Sequence, residues 1–69
     1  MTSRKEKEKQ RQLAIYIQEA SISAAREGFR DASMSGLCLE GAQEAAVSAI
    51  QKLDIDHLIQ EFERRESSE

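Results

Sequence analysis

Residues 35–46, SGLCLEGAQEAA, hold two of the chain's three glycines, its only cysteine and the start of a run of alanines. Upstream lies a long proline-free sequence rich in strong helix formers, and downstream alanines and larger apolar residues recur at helical spacing. Gly36 suits the left-handed residue just past a helix end, and Leu37 suits the apolar residue that closes a Schellman-type cap. Glu40 and Glu44 then complement the positive N-terminus of a following helix. The stretch therefore reads as the turn of a helical hairpin.

Working outward, Ser3-Arg4-Lys5-Glu6 fits a capping box, with Ser3 accepting from the backbone N–H of Glu6. From there one helix spans about Arg4 to Met34, roughly 45 Å at 1.5 Å per residue, with Gly28 as its only internal breaker. Its first turns are almost wholly charged, so residues 1–12 are expected to form a frayed extension. Beyond them, Leu13, Ile17, Ala20 and Ala24 make one stripe, edged by Tyr16. Ile15, Ile22, Ala25 and Phe29 make a second stripe on nearly the opposite side. A lone surface helix normally carries one apolar stripe, so two imply cover on two sides: a hairpin partner and something else.

The second helix is expected over about Leu39–Leu53, with Leu39, Ala42, Ala46, Ile50 and Leu53 facing inward, widened by Ala45 and Ala49. Small residues at these positions let two helix backbones approach closely, and Ala20 and Ala24 offer a matching surface on the first helix. In LDIDHLIQEF, residues 53–62, Asp54 is a good N-cap, and Leu53 and Leu58 stand at the positions of a hydrophobic staple. Ile55, Leu58, Ile59 and Phe62 give a short amphipathic helix. The predicted fold is all-α, an antiparallel helical hairpin with a short third C-terminal helix. The helical domain covers residues 13–63, followed by a disordered tail at 64–69.

Sixty-nine residues make one small domain at most. Such a domain buries only about 60% of its unfolded surface, and its core rarely supplies more than about 3–5 kcal/mol. One cysteine cannot form an intrachain disulfide, and Cys38 with His57 falls short of the roughly four ligands of a structural zinc site. Association with a second chain is the remaining route to stability. No apolar run approaches the roughly 20 residues that cross a bilayer, and the charged N-terminus is not a signal peptide, so a cytoplasmic location is expected. The unpaired cysteine agrees with it.

The net charge of −3 is uneven: residues 1–12 carry five basic and two acidic side chains, leaving −6 for the rest. The basic head, RKEKEKQRQ at 4–12, offers a surface for nucleic acid, but Glu6 and Glu8 interrupt it and no aromatic residue is interleaved. A recognition helix made of LEGAQEAAVSAIQKL, residues 39–53, would carry one lysine against two glutamates and repel phosphates. Gly28, Gly36 and Gly41 fit neither a dinucleotide-binding fingerprint nor a P-loop.

Chemistry centres on few residues. Cys38, at the start of the second helix, stands where a helix dipole favours a thiolate, but the favoured reading is a small apolar side chain buried beneath the turn, between Leu37 and Leu39. His57 reads as a solvated first-turn residue beside Asp54 and Asp56, and Glu40 with Glu44 as dipole-complementing carboxylates without a cleft. No catalytic, cofactor-binding or metal-binding residues are expected, and no cofactor.

The segment Gly36-Leu37-Cys38-Leu39-Glu40-Gly41-Ala42-Gln43-Glu44-Ala45-Ala46, with the alanine- and arginine-containing helix before it, resembles a motif of short bacterial proteins that read G-L-C-x-E-G-A-x-E after such a helix, some labelled acetyltransferase. The resemblance covers about a third of the chain and implies a bacterial source and a shared turn. It assigns no residue a role. Acetyl transfer on the usual fold needs a mixed sheet and a loop for the cofactor's phosphates, which a short helical chain does not supply.

The expected function is that of a non-enzymatic interaction or regulatory module, self-associating as a dimer or four-helix arrangement. Leu13, Ile15, Ile17, Ile22, Phe29, Ile55, Leu58, Ile59 and Phe62 are the expected contact residues, toward a second copy or another protein, without membrane or nucleic acid. Two alternatives stand beside it: a nucleic-acid-associated regulator using the basic head, and a thiol-dependent redox protein centred on Cys38.

Overall fold

A computed structural model describes residues 3–67, apart from the side chain of Ser67. It contains three helices, α1 (Arg4–Met34), α2 (Leu39–Gln51) and α3 (Ile55–Ser67), and no strand among the described residues. The chain is all-α, as the composition predicts. It divides into two units: a hairpin unit, Ala20–Leu53, and a terminal unit made of Met1–Glu19 and Asp54–Glu69.

In the hairpin unit, α1 ends on a Schellman motif. The N–H of Leu37 donates to the carbonyl of Ala32 (3.0 Å) and that of Gly36 to Ser33 (3.1 Å), while Gly36 takes φ +92°. Nothing lies within 4 Å of a Cβ placed on Gly36, so glycine is needed there for its backbone alone. Cys38 is the N-cap of α2 in extended conformation, and its side chain makes no cap hydrogen bond.

The two helices meet at small residues. A Cβ on Gly28 would lie 2.9 Å from the carbonyl oxygen of Ala45 and 2.9 Å from Cβ of Ala49. Among the described residues only Ala32 and Ala42 are buried apolar residues, and Ala42 has no exposed surface. Gly28, expected only as a helix breaker, is the notch that admits α2. Ala20, Ala24, Ala45, Ala46 and Ala49 are half-buried around it. Leu39 and Ile50 depart from expectation: placed in the inward stripe by periodicity, they are exposed at 64% and 41%. A contact this close is centred on glycine and alanine, and the larger side chains at its margin are left outside.

The terminal unit pairs the first part of α1 with α3. Both halves of the capping box form: the N–H of Glu6 donates to Oγ of Ser3 (3.2 Å), and the N–H of Ser3 to Oε2 of Glu6 (3.4 Å). At the start of α3 the N–H of His57 donates to Oδ1 of Asp54 (3.0 Å), which makes Asp54 the expected N-cap. The charged head from Arg4 to Gln12 forms the first turns of α1, and α3 continues past residue 63 to Ser67. An ion pair joins the two ends, with Lys9 Nζ 3.7 Å from Glu66 Oε2. The remaining parts of the expected frayed head and tail, residues 1, 2, 68 and 69, lie outside the described residues.

Candidate interaction surfaces

The nine expected contact residues separate into two sets. Leu13, Ile17, Leu58, Ile59 and Phe62 are half-buried within the terminal unit, where Leu13, Ile59 and Phe62 line one open groove. Ile15, Ile22, Phe29 and Ile55 are exposed. The first stripe of α1 is thus the covered one, and most of the second is open, Ala25 alone being half-buried.

Within the hairpin unit the exposed set gains three members from α2: Leu39 and Ile50, which periodicity placed in the inward stripe, and Val47, which it did not single out. Phe29 follows Gly28 by one residue and Ile50 follows Ala49, so each stands about 100° round from a contact-face residue in the same sense. On two antiparallel helices, the same sense of rotation leads to the same side of the pair. Phe29 and Ile22 of α1 therefore share one face of the hairpin with Leu39 and Ile50 of α2, and Val47, about 200° round from Ala45, is exposed on the outer side of α2. The signal for this face was present in the sequence as the second stripe of α1. Its continuation on α2 becomes legible only once the alanine contact fixes the rotation of that helix.

Cys38 is exposed, which overturns the expected burial beneath the turn. An N-cap in extended conformation precedes the helical contact face, so its side chain points to solvent and not under α2. No group of three or more His, Cys, Asp or Glu side chains able to hold a metal ion occurs among the described residues. No helix of the described residues is long and apolar enough to cross a membrane.

The terminal unit holds a polar cluster that the sequence did not suggest. The Tyr16 hydroxyl donates to Oε2 of Glu61 (3.1 Å), and Nε2 of His57 lies 3.2 Å from Oε1 of the same carboxylate. The Tyr16 ring meets that of Phe62, with centroids 5.6 Å apart, and the Arg65 guanidinium sits 5.3 Å from the Tyr16 centroid. His57 and Glu61 are four apart on a helix and could have been paired from sequence. Tyr16 and Glu61, 45 residues apart, could not.

Loss of water around the ring holds the Tyr16 phenol above its ordinary pKa. The hydrogen bond to Glu61 and that carboxylate's charge add to the rise, and Arg65 opposes it. A raised folded-state value means that the native fold favours the protonated phenol. Its contribution is complete below the unfolded value and is lost as pH rises through the folded one. Tyr16 is the only tyrosine and there is no tryptophan, so ultraviolet absorbance reports its ionisation cleanly. We expect a midpoint above that of the unfolded chain. Glu61→Gln should move it back toward that value, and coincident folded and unfolded midpoints would show that the contact does not form.

The chain was compared with protein-family models, curated proteins and solved structures, and none matches it.

Proposed function

We propose that this chain is a non-enzymatic helical interaction module that acts as a homo-oligomer, joined through the open apolar face of its hairpin unit. One observation carries the reading. The hairpin buries only alanine fully or nearly so, and leaves Ile22, Phe29, Leu39 and Ile50 exposed on the side to which the Gly28 contact rotates them. At about 25 cal/mol per Å² of apolar surface, those four side chains hold far more unrealised stabilisation than the two buried alanines supply. A larger apolar face on a small core is the pattern of a half-interface. A cytoplasmic location belongs to the same reading, supported by the unpaired thiol of Cys38.

Sedimentation under reducing conditions at micromolar concentration tests it. The native chain is expected to run as a dimer or larger species. Phe29→Glu, which sets a charge in the middle of the face, should shift it to monomer while helix content measured by circular dichroism is retained. A native chain that is a stably folded monomer would remove the oligomer reading.

A further inference from the structure

Three exposed apolar residues of α1, Ile15, Ile22 and Phe29, recur every seven positions. On one helix that spacing makes a single stripe, turning by only about 20° per step. Ile22 and Phe29 stand about 100–120° round from Gly28, where α2 packs, and Ile15 extends the stripe one step toward the helix start.

Two charges of opposite sign flank this stripe on the side away from Gly28. Glu19 stands three residues before Ile22 and Arg26 four after it, so both lie about 40–60° round from Ile22 in the same sense. Both side chains are exposed, and neither joins an ion pair among the described residues. Neither has an opposite charge three or four positions away on α1, the usual place for a helical pair. The other flank, Ala14, Ser21 and Gly28, is uncharged.

We propose that α1 of a second copy covers this stripe, running antiparallel about a two-fold axis perpendicular to the helix at the level of Ile22 and Ser23. This rests on the self-association reading and adds the pairing element and its direction. Such an axis reverses height and sets each flank beside the same flank of the partner. Ile15 of one copy then stands nearly level with Phe29 of the other, and Ile22 meets its own counterpart. Glu19 of each copy comes level with Arg26 of the other, twice by symmetry. An acidic residue before the midpoint and a basic one after it form a pattern that complements itself only when reversed. Parallel pairing would lay this flank against that of Ala14, Ser21 and Gly28, which carries no charge and is occupied by α2 at Gly28.

Charge reversal in the full chain, read by sedimentation equilibrium at low salt, tests the pairing. E19R and R26E are each expected to weaken the homodimer about tenfold, because each turns two attractive contacts into repulsive ones. An equimolar mixture of E19R and R26E should recover association as a heterodimer, since both contacts are then attractive. E19R/R26E in one chain should recover the homodimer. Glutamate and arginine are comparable helix formers and neither position lies in a terminal turn, so helix content by circular dichroism should not change. High salt should narrow these differences. Ile15→Glu should shift the chain to monomer as Phe29→Glu does, because the two side chains share a level across the axis.

Native dimer affinity in both single reversals overturns the antiparallel pairing and leaves self-association standing. Weakening without recovery in the mixture or in E19R/R26E does the same, as does an Ile15→Glu variant that remains a dimer. A native chain that is monomeric at low salt overturns the self-association reading and the pairing with it.

Discussion

Gly28→Ala is expected to destabilise the fold by about 1–3 kcal/mol, against the intrinsic helix preference that favours alanine by about 1 kcal/mol. The added Cβ would stand 2.9 Å from the Ala45 carbonyl oxygen and 2.9 Å from the Ala49 Cβ. The first of these is backbone and the second is fixed to it, so neither can swing away. Relief requires the helices to separate, and separation opens the contact around Ala42 that is the best-buried point of the hairpin. In a domain of this size each kcal/mol moves the melting midpoint by about 4–8 °C. Thermal melts should compare variants at one protein concentration, because association would couple stability to concentration. Gly41→Ala is the internal control. Its Cβ would also meet an atom at 2.9 Å, but that atom is Cδ2 of Leu37, the free end of a half-exposed side chain. That variant should be near neutral or slightly stabilising. A gain in stability from Gly28→Ala would show that α1 and α2 are not in contact at Gly28.

Gly28 also marks the boundary of what the sequence made legible. Local signals transferred almost residue by residue. The capping box at Ser3 and Glu6, the left-handed turn at Gly36 and the Asp54 cap each depend on residues within five positions of one another, and each forms. The bounds of α1 followed from two of them. The rotation of α2 did not follow. Its residues Leu39 and Ile50 satisfy the same period as Ala42 and Ala46, and only the three-dimensional approach of Gly28 decides which of them face inward. A glycine in a helix reads from sequence as a weakness, whereas in a close helix pair it is a place for the neighbouring backbone. The same reason hid the open face: its α1 half was visible as a second stripe, and its α2 half depended on that rotation. Cys38 erred in the other direction. Flanking leucines suggested burial, but both Leu37 and Leu39 are themselves exposed, so they provide no cover. The Tyr16–Glu61 contact needed two helices to be brought together and had no local signal at all.

The second large effect is expected at Ala42. Periodicity set Ala42 and Ala46 in one stripe as equals, yet Ala42 has no exposed surface while Ala46 is half-buried. A leucine at 46 has solvent on one side and can lean toward it, at a cost under about 1 kcal/mol. A leucine at 42 has nowhere to lean and must push α1 and α2 apart, which overpacked cores resist by about 1–3 kcal/mol and occasionally more. Against a core that supplies only about 3–5 kcal/mol in a chain of this size, Ala42→Leu should remove most of the cooperative melt. Ala42→Ser separates volume from polarity, since serine is nearly the size of alanine and its hydroxyl can bond to the backbone carbonyl one turn earlier. If close packing is what Ala42 supplies, the serine variant melts within a few degrees of the native chain and the leucine variant does not. If both fall together, the site is intolerant of any change and distance between the helices is not the cause. If leucine is accepted and serine is not, α2 faces α1 with some other surface, and the open apolar face would have to be redrawn with it.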